Sequence, residues 1–188
     1  TLNLFSKNTP ILIADMTNTY LLRNLNNFGF HNILFSKDNR VEMNNNDFCY
    51  LEPAETSPEV DSISFFQIDE YKILNVNDNI ENFDQAERIA KKFGSIDLAC
   101  LPYTGFGAYP MSYDSLDREQ KMVAHKKKVA KAQDNFVKYI EKIQPNYVIP
   151  FAGEVLMGGP VKGSVYMNDG SGIGKKRDCI ENSKKKVD

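Results

Sequence analysis

The sequence predicts an α/β domain built on a mixed sheet. Two observations carry that reading. Short apolar runs joined by turn residues crowd the first part of the chain, and strand-like and helix-like patterns alternate after them, an order expected of a layered α/β domain. The chain has 188 residues, 41% of them hydrophobic, which is enough for one domain with a sizeable core. Residues 1–165 read as that single α/β domain, and 166–188 as an irregular basic tail.

The elements follow in order. Ile11 to Ala14 is a short apolar run, read as a buried strand. Thr17 suits the N-cap of a helix ending near Asn27, with Leu21, Leu22 and Leu25 on one face and Gly29 as its stop. Asn32 to Phe35 is a second strand. Val41–Met43 and Phe48–Leu51 flank Asn44-Asn45-Asn46-Asp47, a strong turn signal. The polar, proline-bearing stretch Glu52 to Pro58 reads as a loop. Asp61–Ile68 and Tyr71–Val76 form a hairpin across Asp69-Glu70. Phe83, Ala86, Ile89, Ala90 and Phe93 fall at helical spacing in a helix over 82–93 that Gly94 ends. Ile96 to Leu101 is an apolar strand. A long helix over 116–143 carries Met122, Val129, Phe136 and Ile143 seven residues apart, the stripe of a buried face. Tyr147 to Phe151 is the last clear strand.

Bulk properties exclude several classes. A net charge of −2 gives no global attraction to nucleic acid. Cys49, Cys100 and Cys179 lie far apart and form no CxxC pair, so neither a disulfide framework nor a zinc knuckle is expected, and a reducing cytoplasm suits the chain. No apolar run approaches the ~20 residues of a membrane span, and no signal segment opens the chain. It begins at Thr1 and leads quickly into a strand, as a processed protein or a piece of a longer one would.

Asp78 is the leading candidate site residue. It ends the run Tyr71-Lys72-Ile73-Leu74-Asn75-Val76-Asn77-Asp78, and ligands gather at the carboxyl ends of strands in alternating strand–helix folds. Asn77-Asp78-Asn79 is open to two readings: a turn whose side chains bind nearby backbone amides, or a metal ligand and charged acceptor with Asn77 beside it. The segment Pro102-Tyr103-Thr104-Gly105-Phe106-Gly107-Ala108-Tyr109-Pro110 follows the next strand, and Tyr103 and Tyr109 are candidates for a substrate wall, against the alternative of an aromatic loop that only packs.

Other motifs carry less. Gly170-Ser171-Gly172-Ile173-Gly174-Lys175-Lys176 departs from a phosphate loop, because Asp169 stands at its first glycine and Lys176 at its closing Ser/Thr. His31 reads as structural, and His125 as part of a solvated basic helix face with Lys126 to Lys128. Neither has a His or Cys at metal-ligand spacing. The lysines of 175–186 read as a solvated tail.

The order Ile73-Leu74-Asn75-Val76-Asn77-Asp78-Asn79, then Ile96-Asp97-Leu98-Ala99-Cys100, then Gly105-Phe106-Gly107-Ala108-Tyr109-Pro110, then Pro145-Asn146-Tyr147-Val148-Ile149-Pro150-Phe151-Ala152-Gly153 resembles the second half of a metallo-β-lactamase-fold domain. The branch it most resembles holds CMP-N-acetylneuraminate hydroxylase-like proteins and related metallo-hydrolases, over roughly residues 60–170. The resemblance implies an αββα sandwich, incomplete in this chain, and a divalent metal (zinc, iron or manganese) at the edge of its β-layers. Asp78 matches the family's metal-bridging Asp, and the Tyr109 loop would border the cleft of a small-molecule substrate. The family's HxHxDH segment is absent, as are its two later histidines; Glu154 is the one hard ligand where the last should stand. Half a sandwich would expose the inner face of its sheet, so an N-terminal half or a second chain is expected to cover it. The function implied is that of a metal-dependent hydrolase-like protein, truncated or split. The alternatives are a binding module that keeps the fold without its metal, and an oxygenase-related domain acting on a nucleotide sugar.

Overall fold

The structure, a computed structural model, describes residues 4–36, 40–44, 46–104, 109–110, 113–152, 180–181 and 184. Ile11–Ile13 (β1), Tyr20–Asn27 (α1) and Ile33–Phe35 (β2) make a small strand–helix–strand unit in which β1 and β2 pair in parallel. Its own cluster holds Ile13, Leu25 and Phe30, with Leu22 half-buried against it and Leu21 exposed. The helix starts later than its sequence predicts: Thr19, not Thr17, is the N-cap, and Asn18 Oδ1 accepts the Tyr20 N–H at 3.1 Å. Gly29 follows the helix at φ +84°, the left-handed conformation that glycine reaches without a steric cost.

A second sheet has six strands in sequence order: Arg40–Glu42 (β3), Phe48–Pro53 (β4), Ser62–Ile68 (β5), Tyr71–Asn75 (β6), Leu98–Pro102 (β7) and Tyr147–Phe151 (β8). The strands from β3 to β6 run antiparallel, whereas β7 and β8 join in parallel. The antiparallel part needs only tight turns. The parallel part needs crossovers, and Phe83–Phe93 (α2) and Arg118–Ile143 (α3) supply them. The α/β class with a mixed sheet, expected from the sequence, is the observed one. Strand β4 runs on through Glu52 and Pro53, read from sequence as loop. These two residues pair with Ile63 and Ser62, and a proline at a strand's last position forfeits little.

Both of these helices pack on one face of the sheet. Ile63, Phe65, Leu74, Val76, Ala99 and Leu101 meet Ala86 and Ile89 of α2 and Phe136, Tyr139 and Ile143 of α3 in one core. Alternation sends the neighbouring residues to the other face. There Tyr147 is 73% exposed and Ile149 47% exposed, with Tyr71 and Phe151 also exposed. The long helix is capped by a reciprocal pair: Asp117 accepts the Gln120 N–H at 2.8 Å and the Gln120 side chain accepts the Asp117 N–H at 3.0 Å. Its buried line is His125, Ala132, Phe136, Tyr139 and Ile143, while Met122 and Val129 are half-buried. The line follows the 3.6-residue helical repeat, so a strict seven-residue stripe drifts off it towards the amino end. For the same reason His125 is buried, which corrects its reading as part of a solvated face.

Candidate functional site

The site is assembled at one end of the sheet by the β5–β6 hairpin. Its two-residue turn, with Asp69 at φ 52°, sets a register in which Ser64 lies opposite Asn75. Asp61 and Asp78 lie just beyond the paired residues, Asp61 ahead of β5 and Asp78 in the turn after β6. The carboxyl group of Asp78 lies close enough to act on that of Asp61. Burial, and after it the neighbouring Asp78, push the Asp61 carboxyl up to about 6, against hydrogen bonds from the Ser62 N–H at 2.7 Å and the Asn77 side chain that favour its ionised form.

The turn after β6 positions Asp78. Asn77 sits at φ 60°, a left-handed conformation that asparagine tolerates better than most residues, with its N–H on Asn75 Oδ1 at 2.9 Å. Asn79 is buried. Its Nδ2 donates to Val76 O at 2.8 Å and Ser62 O at 3.3 Å, and its Oδ1 accepts from Asn82 Nδ2 at 3.0 Å. Asn82 Oδ1 in turn accepts the Thr56 N–H at 3.1 Å, and Gln85 Oε1 accepts the Glu55 N–H at 2.9 Å. This polar network ties the segment between β4 and β5 to the start of α2, and so fixes Asp61 against Asp78. The turn reading of Asn77-Asp78-Asn79 holds for Asn77 and Asn79, whose side chains and backbone build the turn, and Asp78 is the one left exposed.

Helix α3 closes the site. Tyr139 Oη accepts the Asn82 N–H at 2.9 Å and donates to Asn79 O at 2.8 Å, while Asn135 Nδ2 donates to Ile80 O at 3.1 Å. Between these elements lies a cleft of about 810 Å³. Asp61, Asn77 and Asp78 line it from the sheet edge, and Lys128 and Lys131 line it from α3. Lys131 pairs with Glu81 at 2.5 Å. Lys128 Nζ donates to Tyr109 O at 2.8 Å, and burial lowers its pKa.

Of the residues singled out in the sequence, Asp78 and Asn77 line the cleft. Tyr109 reaches its border only through the backbone carbonyl on Lys128, and its ring packs edge-on against Tyr113 at 5.2 Å. Tyr103 does not line the cleft: it is 1% exposed and belongs to the core. His31 is exposed, with Nδ1 3.1 Å from Asn26 Oδ1. The phosphate-loop-like segment 170–176, Glu154, Cys179 and nearly all of the basic tail lie outside the described residues. Burial pushes the Cys49 thiol up to about 11 and raises that of Cys100, so neither is an activated nucleophile. Sequence reading missed Asp61, Lys128 and Lys131.

The donors present are those of a hard or borderline divalent cation, two carboxylates in contact. Among the described residues no group of three or more His, Cys, Asp or Glu side chains stands together to hold a metal. Asp61 and Asp78 fit one side of a metal centre and are too few to complete a catalytic one, which takes about three protein ligands.

The fold and site define the chain as a mixed α/β layer with a carboxylate pair at its sheet edge. No family profile matches it, and no curated protein matches it in sequence. In structure it is similar to CmlA, a diiron beta-hydroxylase from Streptomyces venezuelae, with a TM-score of 0.47 and 14% identity over 76% of this chain and 30% of that one. A mutant of CmlA beta-hydroxylase gives a TM-score of 0.49 and 15% identity over 76% of this chain and 31% of that one. The chain thus spans less than a third of the length of these two structures. No helix among the described residues is long and apolar enough to cross a membrane.

Proposed function

We propose that this chain is one half of a metallo-β-lactamase-like enzyme that acts on a small-molecule substrate as a metal-dependent hydrolase. The observation that carries the reading is the Asp61–Asp78 contact beside the cleft. Two carboxylates held together repel, and a structural turn needs only one; a divalent cation between them relieves the repulsion. In this reading Asp61 and Asp78 supply the carboxylate side of the centre. The remaining ligands come from a second β-layer, carried by an N-terminal half or by another chain, that covers the open face of the sheet. A metal held at that centre would supply a Lewis acid for the substrate and a lowered pKa for a water. This chain's own share is to hold the two carboxylates in register, through Asn77, Asn79 and Asn82, and to wall the cleft with α3.

Manganese binding followed by electron paramagnetic resonance, with zinc and ferrous iron as competitors, tests it. Asp78→Ala and Asp61→Ala are each expected to weaken binding about tenfold or more, in line with the loss of a group that holds a metal. Unchanged occupancy in both variants removes the assignment. A second reading, a binding module that keeps the fold without a metal, is favoured by the absence of a third ligand among the described residues. It predicts no saturable manganese binding even with the second layer supplied.

A further inference from the structure

We propose that the cleft takes a small molecule bearing an oxyanion, a carboxylate or phosphate, which Lys128 holds while the rest of the ligand reaches towards Asp61 and Asp78. The proposal rests on the reading of this cleft as a ligand site. Its two walls carry opposite charge: the sheet edge presents Asp61 and Asp78, and α3 presents Lys128 and Lys131. A wall made only to hold a cation has no use for lysines beside its carboxylates. Lys131 is engaged with Glu81. Lys128 has no carboxylate partner among the described residues; its one hydrogen bond goes to the Tyr109 carbonyl. An ammonium group has three donors, so two remain for a ligand. The neighbouring lysines of the same run, Lys126 and Lys127, are exposed, whereas Lys128 is half-buried in the cleft wall. Lys128 therefore carries a positive charge partly out of water and short of a counter-charge, the condition in which an incoming oxyanion gains a charge-assisted hydrogen bond.

Inorganic phosphate and acetate are the probes, titrated into the chain and followed residue by residue through amide chemical shifts. We expect saturable shifts in the 128–132 segment. Binding should weaken about tenfold in Lys128→Gln, the loss of one charge-assisted hydrogen bond. It should be kept in Lys128→Arg and unchanged in Lys126→Gln. A stronger response to phosphate than to acetate identifies a phosphoryl ligand; the reverse identifies a carboxylate. Absence of saturable shifts at 128–132 in the wild-type chain overturns the proposal, and that reading needs no variant to fold. Equal binding by the Lys128→Gln and wild-type chains overturns it as well, and leaves Lys128 as a positioning residue for the Tyr109 segment. The metal reading fails separately: Lys128→Gln should retain manganese binding, and Asp78→Ala should retain phosphate binding.

Discussion

Asp61 is the residue whose ionisation this fold resists. Burial first, and Asp78 second, hold its carboxyl at about 6 against an ordinary value of 3.8. The folded chain therefore binds this proton more tightly than the unfolded chain does. By linkage, the stabilisation is complete below the unfolded value and is lost as pH rises through the folded one. In metal-free buffer the chain should lose stability between about pH 4 and pH 6, and little more above that, from this group. Asp61→Asn removes the charge and keeps the shape. It should stabilise the metal-free chain by about 1 to 2 kcal/mol near pH 7.5, a figure reduced for the part exposure of the pair, and by almost nothing near pH 4. Urea denaturation at the two pH values measures this. An equal difference at both would show that the carboxyls do not feel one another. A cation bound between the two groups should erase the same penalty, so the cost of the pair and its proposed use have one origin.

At the scale of elements, one buried hydroxyl of α3 holds the turn that carries the site. Tyr139 is buried, and its Oη bridges the Asn82 N–H and the Asn79 carbonyl, joining α3 to the turn between β6 and α2. Tyr139→Phe leaves that N–H buried without a partner and should cost about 1 to 3 kcal/mol of unfolding free energy. Hydrogen exchange of the Asn82 amide should accelerate more than the global loss accounts for. Equal protection at Asn82 in variant and wild type would show that the bridge does not hold the turn. The elements themselves were largely legible in the sequence, because several are bounded by residues with a local reason to stop or turn: Gly29, Asp69-Glu70 and Gly94. Asp61 was legible in principle too. The hairpin reading brings the start of β5 beside the end of β6, and so Asp61 near the turn that carries Asp78. What hid it was its place at a strand's start, where carboxylates commonly face solvent. Lys128 and His125 were hidden for a different reason. Which lysine of a run faces inward depends on the rotation of α3 about its axis, and tertiary packing by Phe136, Tyr139 and Ile143 sets that rotation. Tyr103 was misplaced as a ligand wall because, just past the end of β7, it packs inward into the core.

At the scale of the molecule, the two sides of the large sheet are unequal. One side is filled by α2 and α3. The other carries an apolar row across the strands, Cys49–Phe66–Ile73–Leu98–Tyr147, and beside it a mixed row, Leu51–Ser64–Asn75–Cys100–Ile149, that is apolar towards β8. It stays open along β8, where Tyr147, Ile149 and Phe151 are exposed. Contiguous apolar surface of this kind marks a contact to be made, and a second β-layer is the occupant that the proposed sandwich requires. Ile149→Lys is the direct test. A lysine there stands on the open side, so the substitution should change the stability of the chain by no more than about 0.5 kcal/mol, as expected for a surface position. It should lower the concentration-dependent association of the chain in sedimentation velocity and the fluorescence of a bound hydrophobic dye. Full-length protein or a co-expressed second layer should respond in the opposite sense, because there the same lysine is buried unpaired and the assembly comes apart. If Ile149→Lys instead unfolds the chain on its own, this face is covered from within, and the case for a missing layer falls.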